Sequence, residues 1–320
     1  MIEAFVVGRV GVDLTPGAPR TSLAEAGTFV RAVGGFAGNI GTGLARLGIS
    51  TAVVSSVGDD GHGDHVRTTL AAEGINIDAL TTRSGSRTQV AFFEAWPPDH
   101  FPVTFYRPDP PPDTQLTIAD VPLATLETAL LVIVSGALLA AEPARSTTIE
   151  ILTARLATRP LRPASWTILD LDWRPTLWAN PGEYLTLIER AVRLSDVVIG
   201  GDGEFMAAGL QPGTAVDPGP EITVLKHGQA GVSLLVGDSH RSLPGIAVDV
   251  TCGLGAGDAL TAAFAAGLLR GLDPATAIER GNAAGAIVAS RLMCSAAMPI
   301  SDEIDELLRQ SAIRADEALS

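Results

Sequence analysis

Apolar positions along the chain follow two alternating patterns. Short continuous apolar runs are typical of strands buried on both faces of a sheet, and longer stretches with helical spacing are typical of amphipathic helices. The runs predict strands at 4–10, 51–57, 130–135, 166–171, 197–199 and 222–226. The stretches predict helices at 37–47, 64–73, 144–157, 182–194 and 260–269, and a terminal helix after residue 300. Such alternation indicates βαβ units, and therefore an α/β fold with a mainly parallel sheet covered on both faces.

Two segments depart from this rhythm. Residues 27–33 and 87–106 alternate apolar and polar side chains with no helix between them, a pattern of antiparallel strands with one solvated face. Four prolines follow the second segment within 108–112, and proline cannot continue a strand ladder. We therefore expect a small β-sheet lid, formed by about 12–33 and 87–110, inserted in the α/β core. The proline- and glycine-containing stretch 211–220 is expected to be a surface loop.

Composition narrows the class of protein. The 320 residues are 46% hydrophobic and carry a net charge of −14, which argues against nucleic acid or an anionic membrane as a partner. No apolar run reaches the roughly 18 residues of a membrane span. Two cysteines, Cys252 and Cys294, cannot form a disulfide framework and fit a reducing compartment. The first residues predict a strand and not a signal peptide, so a soluble cytoplasmic protein is expected.

The strongest local motif is a glycine-rich turn before an apolar helix, Gly253-Leu254-Gly255-Ala256-Gly257-Asp258. Such a turn lets the backbone approach a ligand closely, and its N–H groups together with the helix dipole favour an anion. Asp258 then has two interpretations. It either stabilises the helix N-terminus, by about 0.3–1 kcal/mol, or acts as a general base beside a bound phosphate. No Gly-x-x-x-x-Gly-Lys-Ser/Thr motif is present, so a P-loop is not expected.

Two further glycine clusters lie elsewhere in the chain. Gly34-Gly35-Phe36-Ala37-Gly38-Asn39 is either a tight strand-to-helix turn or a close approach to a polar ligand, with Asn39 forming hydrogen bonds. The third cluster runs from Lys226 to Gly231 at the end of a predicted strand. Lys226 is the only lysine of the chain. It either has a role that arginine cannot fill or is a chance survivor.

Taken in order, these clusters resemble the signatures of the PfkB-type carbohydrate kinases, and the resemblance covers nearly the whole chain. It implies a single domain over residues 1–320, with a ribokinase-like three-layer α/β/α core and a β-sheet lid. The segments 96–107 and 170–178 are similar to the kinases of keto-deoxy sugar acids, among them the 5-dehydro-2-deoxygluconokinases of inositol catabolism. The implied reaction is ATP-dependent phosphorylation of the primary hydroxyl of 5-dehydro-2-deoxy-D-gluconate.

The resemblance also assigns roles to individual residues. Asp258 would be the general base, and the amides of Gly255, Ala256 and Gly257 would stabilise the transferring phosphoryl group. Mg²⁺ would be held mostly through water, with Glu204 as its acidic partner. The acceptor positions are Asp13, Gly34, Gly35, Asn39, Arg107 and Arg174. The ATP positions are Lys226, Gly228, Gly231 and Asn282. Several of these have alternatives: a turn cap for Asp13, a surface ion pair for each arginine, and helix packing for Asn282. Arg174 could also contact an ATP phosphate.

Some positions depart from the family pattern. Gly201 replaces the asparagine of an Asn-x-x-Glu motif, and Asp202 is a candidate to compensate for it. Cys252 stands where an acidic residue or asparagine is common, so no monovalent-cation site is predicted. Phe36 and Gly38 stand where Ser or Ala is usual, and Phe36 is a candidate to narrow the acceptor pocket.

These departures keep alternatives open. The acceptor could instead be 2-keto-3-deoxygluconate, fructose, ribose or a nucleoside, or the protein could bind a sugar or nucleotide without turnover. The intact Gly-Ala-Gly-Asp run argues against a pure binding protein, which has no need of a base at position 258. The resemblance also allows a homodimer formed through the lid.

Overall fold

The computed structural model describes residues 1–161, 164–210 and 219–319, with side chains up to residue 314. In these residues the chain forms thirteen strands and nine α-helices. The strands are β1 (Ala4–Val7), β2 (Gly11–Pro16), β3 (Phe29–Gly34), β4 (Thr51–Gly58), β5 (Leu80–Arg83), β6 (Val90–Phe93), β7 (Val103–Tyr106), β8 (Leu131–Ser135), β9 (Trp166–Asp170), β10 (Val197–Gly201), β11 (Ile222–Lys226), β12 (Gly231–Val236) and β13 (Ser239–Pro244). The helices are α1 (Phe36–Arg46), α2 (Gly61–Ala72), α3 (Leu123–Leu126), α4 (Ala144–Thr158), α5 (Tyr184–Arg193), α6 (Asp202–Ala207), α7 (Ala256–Leu269), α8 (Pro274–Ala289) and α9 (Ser301–Leu319).

A nine-stranded sheet forms the core, in the order β13-β12-β11-β10-β9-β8-β1-β4-β5. Seven neighbouring strands of this sheet run parallel, namely β11, β10, β9, β8, β1, β4 and β5, and β12 and β13 add an antiparallel edge. Alternate residues of β1 face opposite sides, with Ala4 and Val6 in one apolar cluster with α1 and α7, and Phe5 and Val7 in another with α4 and α5. The predicted three-layer α/β/α architecture is confirmed.

The parallel strands bring several polar residues to one edge of the sheet. Ser135, Asp170, Gly201 and Lys226 are the last residues of β8, β9, β10 and β11. Ligands of open α/β sheets bind outside the carboxyl ends of the strands. The fold therefore places these four residues where a binding site is expected.

The second sheet is the expected lid, in the order β3-β2-β6-β7. Its pairing differs from the predicted antiparallel pattern in one place, because β2 and β6 run parallel. The chain crosses the core between those two strands, so it can re-enter the small sheet in the same direction. An edge-to-face aromatic row lies on this sheet, with the Phe92 ring 5.5 Å from that of Phe29 and 5.4 Å from that of Tyr106.

The boundaries of other predicted elements also changed. The predicted strand at 4–10 ends at Val7, and the next residues carry the chain from the core into the lid. Strands β5, β12 and β13 were not predicted, since β5 and β13 have mostly polar, partly or fully exposed side chains and β12 begins within a glycine cluster. The terminal helix is confirmed as α9. Of the expected loop at 211–220, residues 211–218 lie outside the described residues.

No helix among the described residues is long and apolar enough to cross a membrane.

Candidate active site

The glycine-rich turn of residues 253–258, called the glycine turn below, leads into α7. Gly255 precedes the helix with a left-handed backbone, φ +82°, a conformation that favours glycine. The first amides of any α-helix have no partner within the helix, and those of Ala256 and Gly257 lie in this first turn. A Cβ at Gly257 would lie 3.4 Å from the Lys226 ammonium nitrogen. The Ala256 amide makes only a long bond, 3.4 Å, to the Gly253 carbonyl. The turn therefore combines the amides of a helix N-terminus with a nearby cation, an arrangement that favours an anion.

Asp258 lies at the mouth of this turn. Its Oδ2 accepts a hydrogen bond of 2.7 Å from Nδ2 of Asn39 on α1. Burial raises the pKa of the Asp258 carboxyl to about 7, although Asn39 opposes the shift. A carboxyl that titrates near neutrality is suited to accept a proton during catalysis.

The acceptor positions of the first glycine cluster surround Asp13. A Cβ at Gly34 would lie 2.1 Å from the Asp13 carboxyl, so only glycine leaves room for that side chain. Gly35 has φ +81°, and a Cβ there would lie 2.7 Å from the Arg9 carbonyl oxygen. Burial raises the pKa of Asp13 to about 6. Asn39 follows within α1, so the structure brings these four predicted residues together.

The two predicted acceptor arginines have different surroundings. The Arg107 guanidinium donates to both carboxylate oxygens of Asp113 at 3.0 Å and to the Gln89 side chain. Its partner is a buried carboxylate and not the surface ion pair considered from sequence. Arg174 donates from Nε to Asp172 at 3.1 Å and keeps a half-exposed side chain. Its charge lies near Asp258, which is one of the groups that raise the Arg174 pKa.

Asp172 is the centre of a buried cluster that sequence reasoning missed. Its Oδ2 accepts hydrogen bonds from Arg9 at 2.7 Å and from the Ser135 hydroxyl at 2.6 Å. Burial by itself raises the pKa of Asp172, but Arg9 and Arg174 outweigh it and hold that pKa below its usual range. The residue also has a left-handed backbone, φ +37°. The only sequence signal was its presence in the 170–178 motif.

Lys226 lies beside Asp170, a second residue without an assigned role in the sequence analysis. The lysine Nζ donates to Asp170 Oδ2 at 2.9 Å, and the Thr261 hydroxyl of α7 donates to the same oxygen at 3.1 Å. Burial lowers the pKa of Lys226, but the charges of Asp170 and Glu204 reverse the shift and raise it. Lys226 is therefore a fixed cation between the glycine turn and the sheet edge.

The other predicted nucleotide positions follow Lys226. Gly228 and Gly231 have left-handed φ values of +58° and +113°, and a Cβ at Gly231 would lie 2.1 Å from the Leu243 carbonyl oxygen. Asn282 of α8 donates to the Pro244 carbonyl at 2.9 Å, and Pro244 pairs with Gly231 in the sheet. The structure therefore groups all three around the start of β12.

Glu204 is held by backbone amides at the start of α6. Its Oε2 accepts from the Gly201 amide at 2.7 Å and its Oε1 from the Trp173 amide at 3.1 Å. Burial raises the pKa of Glu204, while Lys226 opposes that shift. Asp202, the candidate to compensate for Gly201, contacts His227 Nδ1 at 2.8 Å. Across the described residues, no group of three His, Cys, Asp or Glu side chains could hold a metal.

Phe36 and Cys252, two of the residues that depart from the family pattern, lie close to the site. Phe36 is buried in the core, where its ring would lie 2.6 Å from a Cβ at Gly8. The Phe36 ring therefore fills the space beside Gly8, the residue that follows β1. Cys252 is fully buried in an apolar cluster with Phe93 of the lid and Met293 of the core.

Comparisons with known proteins identify the family and the fold of the chain. The family model described as pfkB family carbohydrate kinase matches residues 1–301. The chain is 31% identical to the 5-dehydro-2-deoxygluconokinase of Clostridium tetani, over 97% of this chain and 93% of the relative. It is also 31% identical to that of Photobacterium profundum, over 96% and 95%. A putative ribokinase II from E. coli, solved in complex with ATP and Mg²⁺, superposes with a TM-score of 0.85 at 19% identity, covering 97% of this chain and 100% of that one.

Proposed function

Because the chain belongs to the pfkB family of carbohydrate kinases, and is therefore an ATP-dependent phosphotransferase acting on a small sugar, we propose that its acceptor is 5-dehydro-2-deoxy-D-gluconate. The product would be the 6-phosphate, in inositol catabolism. The names of relatives that match nearly the whole chain support this substrate. The observation that carries the chemistry is Asp258, raised in pKa to about 7 at the mouth of a helix N-terminus.

In the proposed reaction, Asp258 takes the proton of the acceptor's primary hydroxyl as that oxygen attacks the γ-phosphorus of ATP. The new O–P bond forms while the bond to the β-phosphate oxygen breaks, and ADP leaves with that electron pair. The amides of Gly255, Ala256 and Gly257, with Lys226 nearby, stabilise charge on the transferring group. Positioning and electrostatics supply most of the acceleration in such transfers.

Acceptor recognition is assigned to the residues around Asp13. Asn39 Oδ1 is buried without a hydrogen-bond partner among the described residues, so it is available to accept from a substrate hydroxyl. Arg174 and Arg107 are the candidate partners of the acceptor's carboxylate. Arg174 has the freer guanidinium, because its side chain is 48% exposed and that of Arg107 is 13% exposed.

The nucleotide is assigned to residues 226–231, called the nucleotide loop below, together with Asn282. The donor set also fits Mg²⁺ bound as its ATP complex. Glu204 presents a carboxylate oriented by two amides, which suits an ion that keeps several waters. When bound there, the ion would supply positive charge that offsets the charge of the phosphates.

Two further proposals concern the setting of the enzyme. The lid presents exposed aromatic side chains on the face that carries its aromatic row, with Phe29 at 40% and Tyr106 at 62% exposure. We infer that this face forms a homodimer, because exposed apolar patches mark interaction surfaces. The proposed location is the cytoplasm, where ATP is available.

Release of ADP in a coupled assay tests the substrate directly. The panel would contain 5-dehydro-2-deoxy-D-gluconate, 2-keto-3-deoxygluconate, fructose, ribose and a nucleoside. The highest kcat/KM is expected for the first. A higher value for any other acceptor would replace the proposed substrate. Absence of ADP with every acceptor, despite ligand-induced thermal stabilisation, would favour a binding protein without turnover.

A further inference from the structure

Between β6 and β7 the lid extends a short hairpin, residues 96–101, called the lid tip below. Trp96 and His100 pair across it, with the Trp96 amide donating to the His100 carbonyl at 2.9 Å and the reverse bond at 3.1 Å. These bonds give the tip a defined shape outside the small sheet. The tip contacts the core at two separate places, the glycine turn and the nucleotide loop.

The first contact is with the glycine turn. A Cβ at Gly253 would lie 2.9 Å from Cε2 of Phe101, so the ring rests directly on the backbone there. Phe101 packs in an apolar cluster that joins Phe93 of the lid to Cys252 and Met293 of the core. Gly253 is two residues before Gly255, so the position of the lid tip and the position of the glycine turn depend on each other.

The second contact is with the nucleotide loop. Nε2 of Gln229 donates to the Pro98 carbonyl of the lid tip at 2.9 Å. Gln229 lies in the short turn Gly228–Ala230 and has an exposed side chain. Its amide packs against no core, so this bond contributes to the position of the tip more than to the stability of the fold. The one hairpin therefore spans from the acceptor lid to the loop assigned to ATP.

We propose that Gln229 is a positioning residue that couples closure of the lid over the acceptor to occupancy of the nucleotide loop. A nucleotide bound to this loop holds the Gln229 amide where it donates to Pro98, and so favours the closed lid. By thermodynamic reciprocity, a bound acceptor then strengthens nucleotide binding by the same factor. The inference rests on the proposed function, because it takes residues 226–231 as the ATP site.

Calorimetry on Gln229→Ala tests this coupling. The dissociation constant of 5-dehydro-2-deoxy-D-gluconate is measured with and without a saturating non-hydrolysable ATP analogue, and the ratio of the two is the coupling factor. Loss of one neutral hydrogen bond should reduce that factor about two- to ten-fold, with an unchanged melting temperature. Gln310→Ala, which removes another exposed glutamine amide that donates a hydrogen bond, should leave the factor unchanged. A parental factor in Gln229→Ala would overturn the proposal.

Hydrogen exchange of the lid tip gives a readout that needs no acceptor. In the parent, the ATP analogue alone should slow exchange of the Trp96 and His100 amides, which pair across the tip, and in Gln229→Ala this protection should be lost. Equal protection in both proteins would overturn the role of Gln229 while leaving the kinase intact. Failure of the parent to bind the analogue at all would instead overturn the proposed ATP site, and the coupling with it.

Discussion

Asn39 provides the sharpest test of how Asp258 is tuned. Asn39→Ala removes the 2.7 Å hydrogen bond to Asp258 Oδ2, and this bond lowers the carboxyl pKa against the effect of burial. Hydrogen bonds to charged groups are worth about 1.5–3 kcal/mol, and one pKa unit corresponds to about 1.4 kcal/mol. The pKa of Asp258 should therefore rise by about one to two units in the variant.

The assay is the pH dependence of kcat/KM, which reports the pKa of the base in the free enzyme. Because the base must be unprotonated, activity falls as the pH drops through its pKa, with a parental midpoint near the value of about 7. The midpoint should move to higher pH in Asn39→Ala. Asn76→Ala removes an exposed bond of the same type and length, 2.7 Å from Asn76 Nδ2 to Asp78 Oδ2, and should leave it unchanged. An unmoved midpoint in Asn39→Ala would refute the assignment of Asp258 as the titrating base.

Three further predictions concern the acceptor pocket, a buried ion pair and pH. Gly34→Ala places a Cβ 2.1 Å from the Asp13 carboxyl and should lower kcat/KM by about 10²-fold, with the affinity for an ATP analogue, measured by calorimetry, unchanged. Lys226→Met removes the cationic partner of the buried Asp170 and should cost about 3–5 kcal/mol in urea unfolding, while adding Asp170→Asn should restore most of that loss. Unfolding of the parent and of Asp258→Asn should be compared at pH values from about 8 to about 6. As the pH falls, the free energy of unfolding of the parent should increase relative to that of the variant, because the folded parent binds a proton that its unfolded chain does not. A constant difference between the two proteins would contradict the raised pKa.

The sequence predicted the parts of the site that depend on local patterns. The glycine turn and the cluster around Gly34 were found because close backbone approach demands glycine at fixed spacing. Continuous apolar runs such as that of β8 predicted that helices cover both faces of the large sheet. These features are encoded within about ten residues of chain, so periodicity and turn chemistry suffice to find them.

The features that sequence reasoning missed are contacts between distant residues. Arg9 and Asp172 are 163 positions apart, and the sequence around each of them gives no sign that the two form a buried ion pair. The contact of Phe101 with Gly253 likewise depends on how the lid meets the core. The same limit applies to Asp202, because nothing in the sequence around it predicts the contact of its side chain with His227.

Turnover by Asp258→Asn is the most direct test of the kinase mechanism. The variant keeps the size of the side chain but cannot accept the hydroxyl proton, and a general base contributes typically about 10²–10⁴-fold. ADP release with 5-dehydro-2-deoxy-D-gluconate should therefore fall by at least about 10²-fold, while calorimetry shows that the ATP analogue still binds. Near-parental turnover by the purified variant would contradict the central claim that this carboxylate activates the acceptor.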